Sequence, residues 1–279
     1  MRALVLLLAL AGCAASETPA PDAPATEAVA VPEVDLDLDS LFTDDLEGTF
    51  VLRDLATGAT RVYHPERAAQ RFLPASTYKI PNTLIALETG VASGPDFAIP
   101  MGEDVTPADW WPRSWRNDQT LETAFRNSVY WAYQDLARRI GDEAMRAHLA
   151  QFDYGNRDMG GGLDRFWLEG DLRISPLEQT AFLDRLYHGR LGVSDRSTQI
   201  VRDLMVLEET DAYRLSGKTG TADVTPTREL GWLVGFVEVG EKAYAYALNM
   251  EGERVWEDYP PQSRAAFVAR ILQAVGTIP

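Results

Sequence analysis

Residues 74–82 read Pro-Ala-Ser-Thr-Tyr-Lys-Ile-Pro-Asn, and the placement of Ser76 and Lys79 within them governs how the rest of the chain is read. Three positions apart, the two side chains fall on one face of a helix about one turn from each other. A serine hydroxyl is a weak nucleophile until a neighbouring base accepts its proton. An amine is such a base only after it sheds its charge, which requires apolar surroundings or chemical modification of Lys79. Leu73 and Ile80 supply apolar flanks, and Pro74 stands just ahead of the expected helix start. A serine that opens a helix also gains backbone N–H groups directed at a developing oxyanion. Alone, the S-x-x-K spacing is common and proves little.

Outward from this stretch, the helix is expected to run on through Glu88 and stop near Gly90, with Pro81 either kinking it or lying in its first turn and a half. Thr49–Arg53 and Ala59–His64 read as two short strands joined at Thr57-Gly58. Pro100–Asp118 is a polar connection carrying Trp110, Trp111 and Trp115, for which plain packing is the simpler reading and the mouth of a site the sharper one. Apolar spacing from Leu121 to Phe152 is helical, broken near Ser128 and Gly141. Turns follow at Tyr154-Gly155-Asn156 and Gly160–Gly162, then helices over Pro176–Tyr187 and Arg196–Glu208. Three closely spaced strands, Tyr213–Ala222, Leu230–Val239 and Ala243–Met250, argue for an antiparallel meander, and Ser263–Val275 closes the chain as an amphipathic helix. The predicted class is α/β of the α+β type: an antiparallel sheet built from both chain ends and flanked by helices, with a mostly helical insertion over about 91–210.

The 279 residues, 46% hydrophobic and 24% charged, are those of an ordinary globular protein with a sizeable core. The first residues differ: Met1-Arg2, an apolar run from Ala3 to Leu10, and then Leu-Ala-Gly-Cys at 10–13. This describes an export signal too short to span a bilayer, and its end is similar to a bacterial lipobox cut ahead of a lipidated Cys13. A plain secretory signal cut nearby is the alternative. Cys13 is the only cysteine, so the exported domain carries neither disulfide nor thiol. The domain is therefore expected on the periplasmic side of a bacterial membrane, anchored by lipid at residue 13. Residues 14–40 are rich in Ala and Pro, hold seven acids and no Lys or Arg, and read as an extended tether. Setting aside Arg2 and those seven acids takes the net charge from −16 to −10 for the expected domain, residues 41–279. No basic cluster appears, which argues against nucleic acid as a partner. Oligomeric state is not legible.

A second chemical element is Lys218-Thr219-Gly220 on the first strand of the meander. Glycine lets a ligand lie close against the strand, and the ammonium and hydroxyl can hold a carboxylate. K-T-G by itself is common, but downstream of S-x-x-K it is the pairing of penicillin-interacting serine enzymes.

From about Phe50 to Gly276 the chain resembles the class D (OXA-type) serine β-lactamases. The resemblance rests on P-A-S-T-Y-K-I-P-N at 74–82, Ser128 in A-F-R-N-S, Tyr154-Gly155-Asn156, the run Gly161–Glu169 with Arg173-Ile174-Ser175, and Ser216-Gly217-Lys218-Thr219-Gly220. It implies the penicillin-recognising fold and β-lactam hydrolysis through an acylated Ser76. It further implies a carbamate on Lys79, formed from carbon dioxide, as general base, with no separate cofactor and no metal. Trp167 would shield and hydrogen-bond that group, with Leu168 as an apolar wall. Ser128 would relay a proton to the leaving nitrogen. Lys218, Thr219 and Arg264 would hold the substrate carboxylate, and the N–H groups of Ser76 and Thr221 would form the oxyanion hole.

Three departures stand out. Tyr130 occupies a position where the family usually has valine or isoleucine, Thr221 follows K-T-G where many members have an aromatic residue, and the loop around Trp110 is this chain's own. Rival readings are a penicillin-binding D,D-peptidase, a β-lactam sensor that acylates without turnover, and a mechanism with Glu169 as a carboxylate base. His64, His148 and His188 lie on unrelated segments without ligand spacing or a partner motif for Ser76.

Overall fold

The structure, a computed structural model, describes residues 36–42, 45–103 and 105–279. The export signal, Cys13 and most of the expected tether therefore lie outside the described residues. A six-stranded antiparallel sheet organises the rest, in the order β2-β1-β8-β7-β6-β5. Its strands are β1 (Leu46–Asp54), β2 (Thr60–Tyr63), β5 (Val206–Glu209), β6 (Arg214–Thr225), β7 (Arg228–Val239) and β8 (Lys242–Gly252). As expected, β6, β7 and β8 form a meander, and β1 from the other end of the domain pairs with β8. Strand β7 reads Leu-Gly-Trp-Leu-Val-Gly-Phe-Val because it is covered on both sides. Trp232, Val234 and Phe236 face the larger, helical part of the core. Leu233 and Val237 face the opposite side, where helix α9 (Pro261–Ala274) lays down Phe267, Val268, Ile271 and Leu272.

Two facing glycines make the centre of this sheet unusually close. Gly217 on β6 pairs with Gly235 on β7, which pairs in turn with Tyr246 on β8. The Tyr246 ring lies across the gap they leave, and its hydroxyl donates to the Ser216 carbonyl two strands away at 2.9 Å. A side chain at 235 would run into the Ser216 carbonyl and the Gly217 Cα.

The helical part carries α1 (Pro65–Ala69), a 3-10 turn (Ala75–Tyr78), α2 (Lys79–Glu88), α3 (Leu121–Arg126), α4 (Tyr130–Ile140), α5 (Asp142–Gln151), α6 (Pro176–Tyr187) and α7 (Asp195–Leu204). The breaks near Ser128 and Gly141 fall where the sequence places them, and Pro81 lies in the first turn of α2. Helix α6 starts on a capping box: Ser175 Oγ accepts from the Glu178 N–H, and the Glu178 carboxylate accepts from the Ser175 N–H at 2.8 Å.

Three expectations need correction. The helix predicted to reach Glu208 ends at Leu204, and Val206–Glu209 is instead the edge strand beside β6. The open edge of β6 offers hydrogen bonds there that a further helical turn would forgo. A two-stranded ribbon, β3 (Ala98–Ile99) with β4 (Gln119–Thr120), sits inside the insertion, its strands too short for any pattern to reveal. The tether also stops short of residue 40. Leu36 and Leu38 are buried, the Leu36 N–H donates to the Val62 carbonyl at 2.9 Å, and Asp39 accepts from the Tyr63 hydroxyl. These leucines alternate with Asp37 and Asp39, so the apolar residues pack while the acids face outward.

Gly235→Ala places a Cβ against backbone that cannot move aside. It should cost about 2 kcal/mol of stability, which lowers the thermal midpoint by roughly 4–8 °C for a domain of this size. Tyr246→Phe keeps the ring and loses only the hydroxyl bond, so it should cost about 1 kcal/mol. Thermal unfolding followed by circular dichroism measures both.

Candidate active site

Strand β6 and the nucleophile turn are pressed together. A Cβ at Gly220 would come within 2.9 Å of the Pro74 carbonyl and 3.1 Å of Thr77 Cγ2, so only glycine permits this approach. The turn is fixed from several sides. Trp232 Nε1 donates to the Leu73 carbonyl at 3.0 Å, Thr77 Oγ1 donates to the Pro74 carbonyl at 2.8 Å, and Gln179 Nε2 donates to Thr77 Oγ1 at 2.9 Å. Ala75 is held in the left-handed region at φ 49°, which sets Ser76 at the head of the helical run, half-exposed.

Lys79 Nζ donates to Ser76 Oγ at 2.8 Å. The lysine is fully buried, with the Tyr133 ring centroid 5.2 Å from its nitrogen. Burial, and secondarily the charge of Lys218, hold its pKa well below the ordinary lysine range. Among the described residues no carboxylate offsets this effect. Thr83 Oγ1 donates to the Lys79 carbonyl at 2.7 Å and shares a hydrogen bond with the Tyr133 hydroxyl at 2.8 Å.

Beside Lys79 in the chain, Tyr78 stacks on Trp167 with ring centroids 5.3 Å apart and meets Phe166 edge-on at 5.0 Å. Trp167 comes from the segment between α5 and α6. A two-way backbone bridge between Phe72 and Ile174 lays the end of that segment along the residues that lead into the nucleophile turn. Asn156 ties the same segment to itself: its Oδ1 accepts from the Arg173 N–H at 2.9 Å and its Nδ2 donates to the Asp171 carbonyl at 2.8 Å. The Tyr-Gly-Asn turn is thus structural, as expected. Among the described residues Trp167 Nε1 is buried without a partner, as are both amide atoms of Asn82, three residues after Lys79. A buried donor left unmade costs roughly 1–3 kcal/mol, and an acceptor carried on Lys79 itself would fit such a place.

The second group gathers on β6. Lys218 Nζ donates to Ser128 Oγ at 3.0 Å and to the Thr219 carbonyl at 3.1 Å, with Thr219 Oγ1 at 3.5 Å. Ser128 sits in a left-handed turn at φ 59° between α3 and α4. Burial, reinforced by Arg264, lowers the Lys218 pKa to about 7. Arg264 is fully buried behind the strand. Its Nη1 donates to the Gly220 carbonyl at 2.6 Å and to Thr221 Oγ1 at 2.9 Å, its Nε to the Tyr259 carbonyl at 2.8 Å, and its Nη2 has no partner. Arg264 therefore braces the strand. Leu168 is half-buried next to Trp167.

Glu169, the candidate carboxylate base, turns away. Its side chain is 64% exposed and pairs with Arg165 at 2.8 Å. Thr83, Tyr133, Gln179 and Asn82 shape the site and were not singled out from the sequence. Only Asn82 and Thr83 had a signal, standing three and four residues past Lys79 on the helix.

Comparison with known proteins agrees with this geometry. Residues 48–273 match the family described as the penicillin binding protein transpeptidase domain. The chain is 42% identical over 210 residues to "Probable beta-lactamase YbxI" of Bacillus subtilis, covering 74% of this chain and 75% of that one. The crystal structure of a class D β-lactamase from Bacillus subtilis superposes with a TM-score of 0.77 at 37% identity, covering 88% of this chain and 97% of that one. The C-terminal domain of the Bacillus licheniformis BlaR penicillin-receptor superposes at 0.80 with 31% identity, covering 88% and 97%.

The depressed Lys218 pKa has a sign that can be tested. From about pH 7 to the ordinary lysine range, the unfolded chain holds a proton at Lys218 that the folded chain has released. Stability contributed by this residue therefore rises with pH across that window. The thermal midpoint of the wild type minus that of Lys218→Met should increase from pH 7 to pH 9. A flat difference would contradict the shift.

Proposed function

The chain belongs to the penicillin-binding-protein transpeptidase family and, within it, to the class D serine β-lactamases, and from that premise we propose that it hydrolyses β-lactams through an acyl-enzyme on Ser76. The observation that carries the mechanism is the Lys79–Ser76 contact of 2.8 Å, at an amine whose pKa burial drives well below the ordinary lysine range. An uncharged Nζ there can take up carbon dioxide before substrate arrives, one N–H proton passing to solvent, and the carbamate so formed is the base that receives the hydroxyl proton as Oγ attacks the lactam carbonyl. The carbonyl oxygen takes up negative charge facing the N–H groups of Ser76 and Thr221. As the ring C–N bond breaks, the Ser128 hydroxyl gives its proton to the nitrogen and draws another from Lys218 at 3.0 Å. Lys218, Thr219, Thr221 and the free Nη2 of Arg264 hold the substrate carboxylate.

Release of the acyl group needs a base stable enough to activate water. The same carbamate then takes a proton from the attacking water, and the unpartnered Trp167 Nε1 supports this reading as its hydrogen-bond donor. Trp167 and Leu168 keep the pocket dry, which favours retention of the carbamate. The likeness to the BlaR domain favours a second reading, in which Ser76 is acylated and the ester persists. Steady turnover separates the two. The lactamase reading expects many equivalents of ring opening per protein, and a single-equivalent burst would support the receptor-like one.

Two outcomes are expected of the base. Lys79→Ala should form the acyl-enzyme slowly and lose release by at least 100-fold, followed by intact-protein mass spectrometry. Activity lost by degassing at pH 5.5 should return on adding bicarbonate, with a ¹³C carbamate resonance appearing from labelled bicarbonate. Glu169→Gln should leave turnover within twofold of the wild type. Indifference to bicarbonate together with loss on Glu169→Gln would overturn the lysine-base assignment.

A further inference from the structure

The start of α6 grips the chain on both sides of Ser76. Two residues ahead of the helix, Ile174 exchanges both backbone hydrogen bonds with Phe72 at 2.9 Å. Glu178, which completes the capping box, also accepts from Arg71 Nε at 3.0 Å. Gln179 comes next, its own N–H donating to the Ser175 carbonyl at 2.8 Å. Its side chain turns inward and donates from Nε2 to Thr77 Oγ1 at 2.9 Å, with both residues buried. The nucleophile is thus held from α6 ahead of it at Arg71 and Phe72 and behind it at Thr77.

The direction of the Gln179 bond matters. Thr77 has one hydroxyl proton and commits it to the Pro74 carbonyl at 2.8 Å, so the oxygen has only lone pairs to offer α6 and needs a donor there. The Thr77 N–H reaches the same carbonyl at 3.1 Å. Together these bonds close a ring around Ala75 and Ser76. Within it Ala75 sits at φ 49°, a left-handed conformation that an alanine keeps only where its surroundings hold it. The carbonyl that closes the ring is also the one pressed under β6, within 2.9 Å of where a Cβ on Gly220 would lie. The buried Tyr154 hydroxyl faces the same pair. Burial raises its pKa while Thr77 and Gln179 act to lower it, and it has no partner in good hydrogen-bond geometry among the described residues.

We propose that Gln179 is a positioning residue for acyl transfer, an assignment that rests on the β-lactam reading above. Its donated bond holds the Thr77 hydroxyl on the Pro74 carbonyl, and so keeps the Ala75–Ser76 turn in the arrangement that sets Ser76 Oγ beside Lys79. Without the donor, a lone pair of Thr77 Oγ1 is left unmet in a dry place and the hydroxyl is polarised less strongly toward Pro74. The turn then loses a constraint that opposes the strain at Ala75. A small displacement of Ser76 acts on its attack rather than on capture of the substrate, whose carboxylate is held from β6.

The experiment uses the full chain and benzylpenicillin, with acylation of Ser76 timed by rapid quench and intact-protein mass spectrometry at constant bicarbonate. Gln179→Met, similar in length but without a donor, should acylate about tenfold more slowly at saturation, while the concentration giving half-maximal rate stays within about twofold of the wild type. Gln179→Glu supplies a readout that packing alone would not move. A carboxyl in this buried place keeps its proton at low pH and donates it to Thr77 Oγ1, whereas the ionised form has nothing to donate. Its acylation rate, as a ratio to the wild type at the same pH, should lie within about threefold at roughly pH 5.5 and fall to the Gln179→Met level by about pH 9. Circular dichroism at each pH confines the comparison to folded protein. Acylation by Gln179→Met within twofold of the wild type would overturn the proposal and leave the lactamase reading intact, as would a Gln179→Glu ratio that stays flat with pH. Should the methionine variant fail to fold, the pH course of Gln179→Glu decides by itself. A wild-type protein that forms no acyl-enzyme would instead overturn the β-lactam reading, and this one with it.

Discussion

Every part of this site answers to the burial of one amine. Lys79 sits where water cannot reach it and where no acid offsets its charge, so the charged form is the unfavourable one. A lysine in water is a cation and useless as a base toward a serine hydroxyl. The same lysine, with the Tyr133 ring centroid 5.2 Å from its nitrogen, has its pKa driven well down and stands 2.8 Å from the Ser76 hydroxyl oxygen. Exclusion of solvent is what sets this amine apart from a surface lysine.

Such a constraint propagates outward. Water is excluded only if the Tyr78–Trp167 stack stays closed, and that stack depends on the segment which Asn156 and the Phe72–Ile174 bridge pin in place. The nucleophile must also reach the second group on β6, and this requires the strand to come within van der Waals contact of the turn at Gly220. The strand is drawn tight from its far side by Tyr246 across Gly217 and Gly235, and from behind by Arg264. Sheet packing and chemistry are consequently one problem here, because a strand displaced by a few tenths of an ångström moves Lys218 and Ser128 together.

Much of this was legible in the sequence, for reasons that differ by element. The meander could be read because strands covered on both faces give unbroken apolar runs, and the helix breaks could be read from Ser128 and Gly141. The strand at 206–209 could not, since Val-Leu-Glu-Glu continues a helical stripe and only the open edge of β6 makes it extended. Leu36 and Leu38 were hidden in an acidic stretch whose average hydropathy is low although its alternation is strand-like. At the site, Ser76, Lys79 and Lys218 announce themselves by motif. Tyr133 and Gln179 reach the site from sequence separations that no local pattern encodes. Arg264 was legible as a cation near the site, but its role as a brace required seeing the hydrogen bonds it donates to Gly220, Thr221 and Tyr259.

Electrostatics gives the arrangement its direction. Lys79, Lys218 and Arg264 are each at most 4% exposed, and none of them takes part in an ion pair among the described residues. Burying cations is costly unless acceptors meet them. Here the acceptors are neutral: the hydroxyls of Ser76, Ser128 and Thr221 and the carbonyls of Thr219, Gly220 and Tyr259. Neutral acceptors solvate these groups only in part, so burial still lowers the pKa of all three and one arginine nitrogen stays unpartnered. Among the described residues no carboxylate pairs with the cluster, and only Arg264 feels one, the charge of Glu229. On the proposed reading, an anionic substrate entering the cleft supplies the missing charge, raises the proton affinity of Lys218 and so loads the relay through Ser128, and a carboxylate placed on the chain at that point would remove this coupling.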